Sequence, residues 1–446
     1  MNGFRYSLLF LVLLPMTAYC QEKPVPTTTD LITQLGSKSF KLRETAAKQL
    51  RDRGPVVLPT LRQALKKTLK LEQRIRLKQM IGKLEMVAIL TPTKVKLNTQ
   101  PKRLADVLSA IRQQSGYKIV VDKRDGEKLV SFADNQMSFW QAINRIEQQV
   151  GLSLNASLEF DKQSTPHSML KLQGKHCKYT LEHGLFRLRL LSIHAERDIS
   201  LTDPQPEKSK SELIVSFAVN VEPKYRLLSV TTKELIATDE TGKQFVIRKD
   251  ESTPVPTPSF HVDHGFYQFI NTQNINTWLF TSPTRTTGQI KKLQGKVSAL
   301  FVVDLRPVTV AIKFRKANQL NAVVGLVGKK GREIRVGNQT LIILDQYIGK
   351  NNRYNIHLKV PGKGSRKWFS RVHLEDKNSN RYVLVGQGFS GSNNVNDPWE
   401  LSLIFSAENA FGKAPPNLGP AARVVFENWQ MVTADIPFEF RNIPLP

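Results

Sequence analysis

Cysteine is nearly absent: the 446-residue chain has two, Cys20 and Cys177. That excludes a disulfide-stapled scaffold and a cysteine-based zinc ribbon. Long apolar runs are missing as well. The run Leu8–Leu14 is too short to cross a bilayer, which takes about 20 residues, and no later stretch is apolar enough to span. With 25 Gly and 24 Pro, the chain is neither collagen-like nor broadly low-complexity. Acidic residues are scarce, 38 against 65 Lys and Arg, which leaves a formal net charge of +27. There is no GxSxG elbow, HExxH helix, Walker A loop or dinucleotide fingerprint in which glycines follow a strand and open a helix. What is present is 40% hydrophobic and 8% aromatic residues, enough to fold, over a length that calls for several cores.

The first residues read as an address. Arg5 precedes the Leu8–Leu14 core, Pro15 ends it, and Ala18-Tyr19-Cys20 offers small residues at −3 and −1. Residues 1–20 are therefore expected to be a secretory signal peptide, cleaved before Gln21. An acylated Cys20 would need a small residue where bulky Tyr19 stands. The expectation is an exported protein, periplasmic or extracellular, with no integral membrane span. Residues 21–29, with Pro24 and Pro26, read as a linker.

Residues 30–90 carry helical spacing: Leu42, Ala46, Ala47 and Leu50, then Gly54-Pro55, then Leu58, Leu61, Leu65 and Leu69, then Ile75, Leu77, Ile81 and Leu84. The run Leu35–Leu50 followed by Gly54–Leu61 resembles one HEAT-type repeat. So small a helical segment is marginal alone, so an apolar face including Leu58, Leu61 and Leu65 is expected to dock on the module that follows.

Residues 91–158 change rhythm. Val95–Leu97 and Lys118–Val121 read as strands, Leu104–Ile111 as a helix face closed by Gly116, and Leu129–Phe132 as a strand pairing back. Ser138 and Gln141 form a capping box for a second helix with Trp140, Ile143, Ile146 and Val150 on its apolar stripe, ended by Gly151. This βαββαβ order, with the runs Pro101–Gly116 and Met137–Ile143, resembles the short N-terminal domain of secretins and TonB-dependent receptors. The resemblance implies a protein-interaction module; no barrel follows it, so a pore is not implied.

Residues 159–183 are expected to be connecting strands or linker, and strands dominate from Gly184 onward. Two antiparallel β-sandwiches are expected, at 184–287 and 288–446, giving a multidomain α+β fold class. A weak internal repeat supports them: Leu235–Phe245 parallels Leu374–Tyr382, Trp278–Phe280 parallels Leu401–Phe405, and Val297–Phe314 parallels Arg423–Phe440. With the opening Leu35–Leu61, the segments Val221–Pro223, Ala237–Gly242 and Leu293–Val297, and the ending Ile436–Pro446, the chain resembles a family of secreted planctomycete proteins. That resemblance implies origin, export and architecture, and no catalytic residue.

Site candidates are sparse, and no catalytic or cofactor-binding residue stands out. His261, Asp263 and His264 are the weak metal candidates, although a strand would split them between two faces. His167, His176, Cys177 and His183 lack zinc-ligand spacing. Val327–Ile334 resembles a KH-type GxxG loop but reads as a basic hairpin tip. Asp239, Glu240 and Asp376 sit in turns and fall short of a calcium cage. Charge is the global signal: residues 30–85 hold 14 Lys and Arg against 5 Asp and Glu, with Lys66, Lys67, Lys70, Arg74, Arg76 and Lys78 clustered as polyanion-binding candidates. The reading is a non-enzymatic exported envelope protein, an interaction or scaffold module whose partner is another envelope protein. The alternatives are a basic protein that binds acidic polysaccharide, anionic lipid or nucleic acid, and a hydrolase with an unrecognised site.

Overall fold

A computed structural model describes residues 26–67, 70–98, 100–160, 166–198, 210–247, 272–280, 288–316, 331–361, 368, 371–390, 397–408 and 417–445. The protein is mixed α+β and mostly strand, with seven α-helices and several sheets among the described residues. It divides into two compact units, one up to Thr91 and one from Pro92 onward. The signal-peptide region and the triad His261, Asp263 and His264 lie outside the described residues.

The first unit has α1 (Thr28–Gln34), α2 (Phe40–Asp52), a 3₁₀ turn (Gly54–Val57), α3 (Leu58–Lys67) and α4 (Leu71–Leu90). Thr27 and Asp30 form a reciprocal capping box that starts α1. Gly54, at φ +71°, breaks the chain after α2, and Pro55 follows. One core holds Leu31, Leu35, Ala46, Leu50, Leu77 and Leu84. Leu58 and Leu61 are buried in that same core and Leu65 packs against it. The face expected to dock elsewhere is thus used by the helices themselves: its three- and four-residue spacing places it toward α1 and α4. Ile75 is half exposed, two residues and so about 200° around α4 from buried Leu77.

The second unit opens with β1 (Lys94–Lys96), β2 (Lys102–Arg103), α5 (Leu104–Ser115), β3 (Ile119–Val121), α6 (Lys123–Gly126), β4 (Leu129–Val130), β5 (Gln136–Ser138), α7 (Phe139–Val150), β6 (Ser153–Phe160) and β7 (Pro166–Gln173). Gly116 and Gly151, at φ +77° and +74°, end α5 and α7 in the left-handed conformation that glycine adopts freely. Ser138 and Gln141 make the second capping box. The strands pair as β1 with β5, β2 with β4, and β3-β7-β6, in which β3 and β7 run parallel. The stretch 159–183 thus supplies β7 to this module. Its core includes Leu104, Ile111, Phe139, Trp140, Ile143 and Leu172.

The remaining strands are β8 (Thr180–His183), β9 (Phe186–Asp198), β10 (Lys210–Val221), β11 (Arg226–Asp239), β12 (Val246–Ile247), β13 (Thr272–Phe280), β14 (Gln289–Ala311), β15 (Arg315–Lys316), β16 (Arg332–Val336), β17 (Gln339–Ile348), β18 (Tyr354–Val360), β19 (Val372–Glu375), β20 (Val383–Ser390), β21 (Trp399–Ser406) and β22 (Arg423–Pro444). They form three sheets: β12-β13-β10-β9-β8, β11-β14-β22-β19, and β15-β17-β18-β21-β20 with β16 also on β17. β14 and β22 pair antiparallel over their whole lengths, from Gln289 opposite Pro444 to Ala311 opposite Arg423. Toward one end of this ribbon Phe438 and Phe440 meet Phe217 of the five-stranded sheet, and at its middle Phe301 meets Phe186. At the other end Val310, Val424 and Phe426 share a core with Ile356, Leu358, Leu403 and Phe405 of the six-stranded sheet.

Two turns have the same hydrogen bonds. Asp239 Oδ1 accepts from Thr241 N and Lys243 N, and Asp376 Oδ1 accepts from Asn378 N and Asn380 N. Gly242 and Ser379 take the matching positive φ, and Phe245 N and Tyr382 N close each turn onto Ala237 O and Leu374 O.

Candidate functional site

The basic cluster lies on α3 and α4 of the helical unit. Lys66 and Lys67 occupy the last turn of α3, where cations complement the negative helix end. Lys70 is the N-cap residue of α4, and Arg74 and Lys78 follow at four-residue spacing, so the three share one exposed stripe. Arg76 is set apart: it pairs with Glu72 one turn back and with Glu44 of α2. Among the described residues the other five make no ion pair, so their charge is offered to solvent. The structure therefore leaves five of the six candidates exposed on α3 and α4 and commits the sixth internally.

The histidine candidates do not converge. His176 Nδ1 lies 3.5 Å from Glu147 Oε2, His183 is exposed, and Cys177 Sγ donates to Leu190 O at 3.1 Å. No cluster of metal-ligating groups occurs among the described residues. Asp239 and Asp376 spend their oxygens on main-chain N–H groups; Asp376 adds Gly419 N at 2.8 Å. Burial would raise the Asp376 pKa, but the donors of Gly419, Asn380 and Asn378 outweigh it and hold the carboxyl at about 2. Gly386 and Gly388, part of a GxGxxG spacing in the sequence, lie inside β20, paired with β21, and among the described residues no helix begins at them.

Sequence reasoning missed the polar junctions of the second unit. Arg187 and Arg189 alternate with Phe186, Leu188 and Leu190 along β9, a pattern that reads as a wet strand face. Instead α7 and β6 cover that face. Arg187, wholly buried, pairs with the equally buried Glu147 of α7 and stacks over the Trp140 ring at 5.6 Å. Glu147 also accepts from Leu154 N, and Arg189 Nη1 donates to Ser153 Oγ at 2.7 Å. Burial, then the neighbouring Arg187 charge, lowers the Arg189 pKa. Trp140 Nε1 donates to Leu185 O at 2.8 Å. A second junction centres on buried Glu222, which accepts from Thr93 N at 2.8 Å, Thr93 Oγ1 at 2.6 Å and Tyr117 Oη at 3.1 Å, and pairs with Lys224. Burial raises the Tyr117 pKa, so it remains a hydrogen-bond donor.

A third polar cluster is buried beside core residues Trp368 and Trp429. Glu427 of β22 meets His373 at 2.8 Å, Arg226 at 3.1 Å and Trp429 Nε1 at 2.8 Å. Burial works against its ionised form, but these donors prevail and hold it at about 2. Arg371 sits between the Trp368 and Trp429 rings, 4.8 and 4.4 Å from their centres, and burial lowers its pKa to about 10. No family model matches the chain, and no curated protein matches it either.

Proposed function

We propose that the protein is a non-enzymatic, exported scaffold of the bacterial envelope, with a HEAT-like helical unit, a secretin-type interaction module and two β-sandwiches. The observation that carries this reading is the double junction at Glu147–Arg187 and Glu222–Thr93–Tyr117, which holds the module against the five-stranded sheet. Buried ion pairs and hydrogen-bonded carboxylates favour one fixed arrangement of elements over a loose tether. A scaffold needs such fixed spacing to present the module to a partner. Among the described residues no helix is long and apolar enough to cross a membrane. The test is cross-linking in native envelope preparations, with a photoreactive residue at exposed Leu129 of the module. A discrete heavier adduct that survives purification supports the scaffold. Migration at the chain's own mass under every condition removes it.

A second reading is favoured by the stripe Lys70, Arg74 and Lys78 beside Lys66 and Lys67: the helical unit binds a polyanion. Unpaired cations on one face release counterions when they meet a charged polymer, so affinity falls steeply with salt. Heparin and alginate serve as probes. Replacing Lys70, Arg74 and Lys78 by Gln should weaken binding and flatten the log–log salt slope by about one unit per cation removed. An unchanged slope refutes the assignment.

A further inference from the structure

The two halves of the strand region correspond element by element. The order β12-β13-β10-β9-β8 matches β20-β21-β18-β17-β16, and β11 on β14 matches β19 on β22. The registers fix the correspondence to the residue. The hairpins β8–β9 and β16–β17 turn at Gly184 and Gly337, with φ +60° and +63°. A bulge follows at the same distance in each, leaving Leu191 and Leu344 without a partner in the ladder. Tyr179, opposite Leu190, thus stands where Arg332 stands opposite Ile343. The shared turn equates Glu240 with Lys377.

A cleft of about 860 Å³ opens in the second half, and Lys313, Arg332 and Lys377 line it. That size is ordinary for a small-molecule site. Its lining is mostly apolar, Ala311, Pro420 and Ala421 among it, and Gln346 and Asn378 add amide groups. The carboxylate at its edge, Asp376, is tied up by backbone donors. Arg332 Nη1 donates to Ala311 O at 3.1 Å, which positions the guanidinium. In the first half Tyr179 Oη makes the same kind of bond, to Asn442 O at 2.9 Å near the end of β22. There the equivalent of Arg332 is a tyrosine, the equivalent of Lys377 is a glutamate, and the run Asn442–Leu445 that ends β22 carries no cation.

The fold therefore accepts uncharged or acidic residues at these places, and the cations of the second half are not demanded by the architecture. We propose that this cleft binds an acidic oligosaccharide, with Lys313, Arg332 and Lys377 on its carboxylate or sulfate groups, Gln346 and Asn378 on its hydroxyls, and the apolar lining against its C–H faces. Amides beside an apolar lining suit a sugar ring, and three cations lining one cleft select an anionic one. This site is separate from the helical stripe and does not rest on it.

Titration calorimetry on the full chain tests the proposal, with trigalacturonate, a sulfated disaccharide and neutral maltotriose as probes. An acidic probe should bind at one site, at least tenfold more tightly than maltotriose. Whichever acidic probe binds tighter assigns the anionic group as carboxylate or sulfate. Lys377→Glu, alone and with Arg332→Tyr, installs the residues of the first half and should weaken binding at least tenfold with the melting temperature unchanged. If the double variant does not fold, the single one decides. Lys70→Gln with Lys78→Gln should leave this binding as it was. Equal affinity for maltotriose, undiminished binding by Lys377→Glu, or loss caused by the helical substitutions instead would overturn the assignment.

Discussion

Replacing Glu147 by glutamine tests the buried junction with the least change of shape. The amide keeps an oxygen for Leu154 N but removes the carboxylate that pairs directly with Arg187; Glu182, opposite Arg187 in the β8–β9 ladder, makes no ion pair with it among the described residues. Arg187 and Glu147 are both 0% exposed, and Arg187 Nε and Nη1 have no other partner. Arg189, two residues on, is 3% exposed and already disfavoured by the Arg187 charge. The variant would therefore leave two neighbouring buried cations without their directly paired anion, and breaking a buried pair costs about 3–5 kcal/mol. Replacing both members by apolar residues, Glu147→Leu with Arg187→Met, should recover most of that loss, because neither charge then needs hydration. Urea unfolding read by tryptophan fluorescence reports the difference, Trp140 lying against Arg187. A loss below about 1 kcal/mol in the single variant, or a double variant as weak as the sum of the singles, would refute the argument.

Two further outcomes follow from other parts of the second unit. Glu427 is held at about 2, below its ordinary 4.5, so its contribution to stability is complete above about pH 4.5 and is lost as pH falls toward 2; Glu427→Gln should flatten the acid limb of the stability curve there, and an unchanged limb would count against the cluster. Gly337 turns the β16–β17 hairpin at φ +63°, and a Cβ would come within 2.6 Å of Asn428 Oδ1, so Gly337→Ala should cost about 1–2 kcal/mol or more in urea unfolding, a neutral result meaning that the hairpin adopts another turn.

Legibility followed the range of the forces involved. Ser138 with Gln141, and Gly116 and Gly151, are read from a few adjacent residues because caps are local chemistry. The likeness of Leu235–Phe245 to Leu374–Tyr382 was visible for the same reason: each is a strand, an aspartate-anchored turn and a strand. The pairing of β14 with β22 was not visible, since its partners lie more than a hundred positions apart and no short pattern encodes them. The burial of Arg187 and Arg189 was not legible, because alternation on a strand records polarity and not whether another element covers it. Leu58, Leu61 and Leu65 were assigned an outward role because periodicity identifies an apolar face and says nothing of which neighbour it meets. The cations of the cleft come from three separate segments and become a set through the topology alone.

The central position of β22 also bears on the order of events as the chain emerges. β22 is made after every other described strand, yet it lies between β14 and β19 in the middle of its sheet. Until it arrives, β14 presents 23 residues of open edge, with a face carrying Val297, Ala299 and Phe301. An unpaired, half-apolar edge of that length invites pairing with another chain. Contacts so distant in sequence also close slowly. The keystone strand thus makes assembly depend on a segment that follows all its partners in sequence, and loss of Arg423–Pro444 would leave both ends of the ribbon without a complete core.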